Sequence, residues 1–167
     1  MINRLPRYII SFVILVLLQV LILNNVQLSG YINPYIYILF ILTLPFDTPK
    51  WALLVLGFLL GLGVDLFSHT VGMHASASVF LAFLRPGLLN NLEPRGGYEP
   101  ETSPSIQDYG IGWFFRYAGL AVLAHHIFLF FIEVFKFQAF FQTLSRAILS
   151  GIFSLLLILF IKLFIKK

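Results

Sequence analysis

Gly57-Phe-Leu-Leu-Gly61-Leu-Gly-Val-Asp65-Leu-Phe-Ser-His69-Thr-Val-Gly72-Met-His74-Ala75-Ser-Ala-Ser78-Val-Phe-Leu-Ala82-Phe-Leu-Arg85 is an apolar helix ending in an acid, a tight polar turn, and a second helix rich in small residues. Gly57, Gly61 and Asp65 fall at i, i+4 and i+8 and share one face. Ala75, Ser78 and Ala82, at i, i+3 and i+7, form a matching stripe on the second helix. Lipid supplies no hydrophobic drive between helices, so close backbone approach at small residues holds them together. The stretch reads as a close-packed hairpin at the centre of a membrane bundle, with Gly72 in its turn.

The rest of the chain agrees with a bilayer. Of 167 residues, 59% are hydrophobic and 11% charged, and the mean hydropathy is +0.93; a soluble domain carries about 25% charged residues. One integral membrane domain, residues 1–167, accounts for the length. The absence of cysteine excludes disulfides, thiolate metal sites and Cys nucleophiles. The net charge of +4 is assigned to orientation and lipid attraction, with no nucleic-acid role.

Outward from the hairpin, the expected spans are 8–23, 31–44, 50–67, 72–84, 113–135 and 143–165, an all-α polytopic bundle of about six transmembrane helices. Residues 8–23 are broken only by Ser11 and Gln19, and no signal-peptidase-like site follows, so the first helix is expected to be uncleaved. Residues 31–44 are short: as a helix they would cover roughly 21 Å against a hydrocarbon core of about 30 Å. They span a thinned region or are partly re-entrant. Thr48 and Pro49 suit the cap and first position of the next helix. Arg85-Pro86 is expected to end the fourth helix, with the arginine snorkelling to headgroups. Residues 87–112 are polar and rich in Pro and Gly. They suit a flexible connector or a cytoplasmic docking segment, and Ser105 to Asp108 resemble a capping box. With six spans, Arg4, Arg7, Lys50, Arg85, Arg95, Arg116, Lys162, Lys166 and Lys167 share one side, against Lys136 and Arg146 on the other. The positive-inside rule then puts both termini in the cytoplasm.

Few residues carry candidate chemistry. Asp65 lies at the negative end of its own helix dipole, so something must offset it. It reads as a structural acid bonding the turn or a neighbouring helix, or, with His69 and His74, as a ligand set that matches no recognised metal motif; no metal or cofactor is assigned. His125, His126 and Glu133 approach one stripe of the fifth helix, with Lys136 just beyond. They suit a proton path or ligand pocket on one reading, an interhelical hydrogen-bonded cluster on the other. Arg146 is placed to pair with Glu133. Ala147-x-x-x-Gly151 and Ser150-x-x-x-Ser154 read as packing motifs. The chain has no P-loop, no His-Glu-x-x-His and no Gly-x-Ser-x-Gly, and no nucleophile–base pair is visible, so it is not expected to be an enzyme.

Gly57-x-x-x-Gly61-x-x-x-Asp65-Leu66, the turn with Gly72, the small-rich helix and Arg85-Pro86 resemble the MreD family of bacterial rod-shape-determining membrane proteins. The layout is similar over most of the chain, with a weaker echo in residues 113–133. The resemblance implies a non-enzymatic, multi-pass subunit of the cell-elongation machinery in the cytoplasmic membrane. Its implied partners are a single-span MreC-like protein, the actin-like MreB filament and the peptidoglycan polymerase and transpeptidase pair. It also implies a fold like the substrate-binding subunits of energy-coupling-factor vitamin transporters. Those subunits couple through an Ala-x-x-x-Ala pattern in the first helix, and residues 8–23 contain no alanine. The alternative is a small-molecule binding or transport subunit whose pocket is lined by Asp65, His69, His74, His125, His126 and Glu133.

Overall fold

The computed structural model describes residues 5–26, 31–99, 101–134 and 140–164. Helix α1 (Leu5–Leu21) runs into a 3-10 turn at Leu23–Asn25, and a single helical turn, α2 (Leu39–Leu42), follows. Helices α3 (Lys50–Ser68) and α4 (Met73–Asn91) come next, then the short α5 (Ile106–Tyr109) and the long α6 (Ile111–Val134) and α7 (Phe140–Phe164). Among the described residues there is no strand. Four helices, α1, α3, α6 and α7, are long and apolar enough to cross a membrane.

The hairpin forms as its small residues require. A Cβ on Gly61 would overlap the His74 carbonyl oxygen and sit 2.5 Å from the Ala75 backbone; one on Gly57 would sit 2.9 Å from the Ser78 carbonyl oxygen and 3.1 Å from Ala82 Cβ. Helices α3 and α4 therefore touch backbone to backbone. Gly72, at φ +74°, begins α4 in the left-handed region that glycine enters freely. α4 is as long as α3 and returns along it, but it carries His74, Ser76, Ser78, Arg85 and two asparagines among its apolar residues.

Two expected boundaries are corrected. The fourth helix does not stop at Leu84: it continues through Pro86 to Asn91. Proline disfavours helix at the residue before it, but Arg85 is pinned. Its Nε donates to Tyr117 Oη (3.1 Å), its Nη2 to the Leu44 carbonyl, and its Nη1 to the Pro45 carbonyl (3.4 Å). Arg85 is thus buried at 1% exposure and does not snorkel to a headgroup. The carbonyls at the end of α4 are met from outside the helix, Leu89 by Tyr98 Oη of the connector (2.8 Å) and Leu92, the residue after the helix, by Trp113 Nε1 of α6 (2.8 Å). Burial pushes the Tyr98 phenol up to about 12, so it keeps the proton it donates. Ser105 does cap α5, accepting from the Asp108 amide (3.1 Å). Phe46 stacks on Tyr98 with centroids 4.1 Å apart, and its amide donates to Thr102 (3.0 Å), so the connector is docked on the bundle.

The second correction concerns residues 31–44, where only Leu39–Leu42 is helical. Tyr31-Ile-Asn-Pro-Tyr-Ile-Tyr-Ile is β-branched, aromatic and interrupted by Pro34, a sequence that favours extended chain. Residues 34–42 are nevertheless buried without a break. This threaded segment starts where α7 starts, with Tyr31 Oη donating to Gln142 O (2.9 Å). It moves along α7 as the Asn33 amide donates to Ser150 Oγ (3.1 Å) and the Tyr35 amide to Ser154 Oγ (2.8 Å). At Leu44 and Pro45 it meets Arg85, near the loop end of the bundle. The end where α3 turns into α4 is the hairpin end. Thr48, expected as a helix cap, turns back to the Pro45 carbonyl (2.7 Å), and α3 begins without a side-chain cap.

Candidate functional site

The hairpin end concentrates the buried polar groups. Asp65 closes α3 where that helix's dipole opposes an anion. The offset is the start of α4: Asp65 Oδ1 accepts from the His74 amide (3.1 Å) and Oδ2 from the Ala75 amide (2.9 Å). Asp65 is thus an N-cap supplied from the neighbouring helix. Thr70 Oγ1 donates to Oδ1 (2.5 Å), and His74 Nδ1 lies 3.0 Å from the same oxygen. Since a carboxylate only accepts, His74 Nδ1 carries the proton there.

His74 leads inward. Tyr35 and Tyr37, where the chain turns into α2, both face the histidines. Tyr35 packs on His74 (centroids 5.3 Å), His126 (5.5 Å) and His125 (6.4 Å); Tyr37 packs on His74 (6.0 Å) and His125 (5.5 Å). Tyr37 Oη is 2.8 Å from His125 Nε2. His126 Nδ1 donates to the Val122 carbonyl (2.8 Å), and its Nε2 is 2.9 Å from Ser154 Oγ. His74, Ser78, His125 and His126 are all buried.

The sequence candidates therefore divide. Asp65, His74, His125 and His126 converge around the two tyrosines. His69 does not join them: α3 ends at Ser68, and His69 takes the left-handed cap conformation at φ 55° on the exposed surface. Glu133 and Arg146 pair (3.2 Å) on the side of α6 and α7, with the guanidinium 4.6 Å over the Phe130 ring. Lys136 lies outside the described residues. Gly57, Gly61, Ala75 and Ala82 lie in the contact between α3 and α4.

Sequence reasoning missed the residues that serve the threaded segment's backbone. Gln19, fully buried in α1, donates through Nε2 to the Pro34 carbonyl (3.0 Å) and accepts from the Ile36 amide through Oε1 (2.9 Å). Tyr117 donates to the Leu42 carbonyl (3.1 Å) while accepting from Arg85. Ser150 and Ser154, read as packing residues, accept from Asn33 and Tyr35. Non-helical backbone at membrane depth persists only where protein satisfies it. The available signal was a set of lone polar residues in apolar helices, beside a segment too short to span as a helix.

Chemically, the arrangement binds and orients protons. Its one serine near a carboxylate-held imidazole, Ser78, follows His74 by a turn of the same helix, is fully buried and makes no hydrogen bond to it. No protein-family model, no curated protein and no solved structure matches the chain.

Proposed function

We propose that this chain is an MreD-like, non-enzymatic membrane subunit of a bacterial cell-elongation complex, working by holding partner helices. The observation that carries the reading is the use of its buried polar groups. Gln19, Arg85, Tyr117, Ser150 and Ser154 all bond the threaded backbone, and Asp65 caps α4. Such groups build a rigid core and leave binding to the outer surface. The Gly57 to Pro86 stretch that carries the family resemblance contributes Asp65 and Arg85 to this core.

The topology that fits has six passes, the second being the threaded segment and the fourth α4. Both ends of the described chain then lie at the loop end, with Lys50, Arg116 and Lys162, facing the cytoplasm. The fold of energy-coupling-factor binding subunits remains the expected relative. The partner is a single-span MreC-like protein in the bacterial cytoplasmic membrane. MreB and the peptidoglycan synthases are reached directly or through it.

Because Gly57 and Gly61 are occupied inside the chain, the partner surface lies on outward faces. Helix α1 is the leading candidate: Ile9, Ile10, Val13, Ile14 and Leu17 are all exposed, and only Leu15, Val16 and Gln19 of that helix are buried. The test is in-membrane crosslinking from Ile10, Val13 or Leu17 to a co-expressed MreC-like protein. Crosslinks from α1 that vanish when Val13 is replaced by a bulky Trp support the reading. Absence of crosslinks from every outward face, with rod shape unchanged after loss of the chain, defeats it.

The small-molecule reading draws on the convergence of Asp65, His74, His125 and His126. A thermal shift with vitamins or divalent metals, abolished by Asp65→Asn, would favour it over the scaffold.

A further inference from the structure

Four buried side-chain atoms have no hydrogen-bond partner among the described residues; Arg146 Nε is one, and the other three, His74 Nε2, Ser78 Oγ and His125 Nδ1, lie inside the bundle. His74 is 5% exposed, and Ser78 and His125 are fully buried. All three belong to residues around Tyr37. Its ring packs on both imidazoles, and Ser78 lies beside its phenol. An unmet buried polar atom costs about 1–3 kcal/mol, so three on residues around one tyrosine call for a partner that the described side chains do not supply. A buried water makes about three hydrogen bonds, which matches the number of atoms left over.

The proton positions agree with one such guest. His74 points its Nδ1 proton at Asp65, and in the neutral imidazole that leaves Nε2 an acceptor. A phenol is a stronger hydrogen-bond donor than a neutral imidazole, so Tyr37 donates to His125 Nε2, and His125 Nδ1 carries the remaining proton as a donor. Ser78 does either. The three atoms thus present one acceptor, one donor and one hydroxyl, the complement of a water molecule.

We propose that His74, Ser78 and His125 hold an internal water beside Tyr37, and that this water joins two hydrogen-bonded pairs into one relay. Tyr37 donates to His125, His125 to the water, the water to His74, and His74 to Asp65. Every proton in the chain points toward the acid at the hairpin end. The relay moves no net charge at rest; it is an ordered hydrogen-bond path between the middle of the threaded segment and the membrane face. It stands independently of which partner the outer surface binds.

Water-edited solid-state NMR of the full chain in lipid nanodiscs, with 15N-labelled histidine, tests this directly, the probe being water. Magnetisation should pass from water to the His74 and His125 rings, and both should report the Nδ1-protonated tautomer. His126 is the internal control, since the Val122 carbonyl and Ser154 hydroxyl already take both its nitrogens. His74 and His125 rings as dry as His126 would overturn the site. In Ser78→Val the added methyl groups occupy the water's place, so transfer to His74 and His125 should be lost with His126 unchanged; transfer persisting at both would equally overturn it. The wild-type measurement decides the matter even if that variant fails to fold.

Discussion

The contact between α3 and α4 and the threaded segment, buried over residues 34–42, are held by opposite means. In the hairpin the backbone bonds are internal to each helix, and the contact is steric: removing side chains at Gly57 and Gly61 brings the two backbones together. In the threaded segment much of the backbone has no helical partner, and side chains from four other helices supply the bonds, Gln19 from α1, Arg85 from α4, Tyr117 from α6, and Ser150 and Ser154 from α7. The first tolerates no added atom at Gly57 or Gly61. The other tolerates no removed polar group.

That contrast can be broken or sharpened by substitution. The strongest effect is expected at Gly61→Ala, because the new Cβ meets α4 backbone, which cannot step aside as a side chain can. A loss of more than about 4 kcal/mol is expected, read by steric trapping in bicelles. Gly63→Ala, facing only the Val16 side chain at 3.5 Å, should be nearly neutral. Equal losses at the two positions would end the steric account.

Arg85→Met comes next. It strands the Leu44 carbonyl and takes one bond each from the Pro45 carbonyl, which keeps Thr48, and the Tyr117 hydroxyl, which keeps Leu42, at a cost of about 3 kcal/mol. Hydrogen exchange should rise in residues 39–46 and in α4 beyond Pro86, where the pinned arginine no longer holds the helix. Exchange confined to the connector would show that Arg85 is peripheral to the threaded segment.

Ser154→Ala removes a smaller group but leaves the Tyr35 amide and His126 Nε2 unmet, for a loss of about 2 kcal/mol. Its exchange signature should stay near Tyr35 and spare the hairpin. A uniform rise across α3 and α4 would mean the two regions unfold as one unit.

Glu133→Gln should matter least. The pair with Arg146 is partly exposed, and such pairs contribute at most about 1 kcal/mol. A loss as large as that of Ser154→Ala would place this pair within the core network.

Legibility followed the same division. Glycine and small-residue stripes announce a close helix contact because only one geometry uses them, so Gly57, Gly61, Ala75 and Ala82 could be read directly. The position of Asp65 against its own dipole announced a missing donor, and the start of α4 supplies it. Gln19, Ser150 and Ser154 signalled a polar need without naming its partner, because a lone polar residue in an apolar helix has the same appearance whether it faces a neighbour, water or another segment's backbone. Arg85 misled: beside a proline at the end of an apolar run it has the sequence of a snorkelling residue.

The amino-acid sequence by itself determined the membrane solvent, the helical class, the hairpin and the unfitness of residues 31–44 for a full-length helix. These follow from local quantities: hydropathy, small-residue spacing, run length and the fixed φ of proline. Tertiary structure alone decided that those residues thread the bundle with a single helical turn at Leu39–Leu42, that Arg85 turns inward and that His74 and His125 meet at Tyr37. Each of these depends on matching unpaired backbone groups with side chains far away in the chain; Ser154, for instance, meets the amide of Tyr35. In a medium without water such a match is obligatory, yet no local pattern specifies which partners make it.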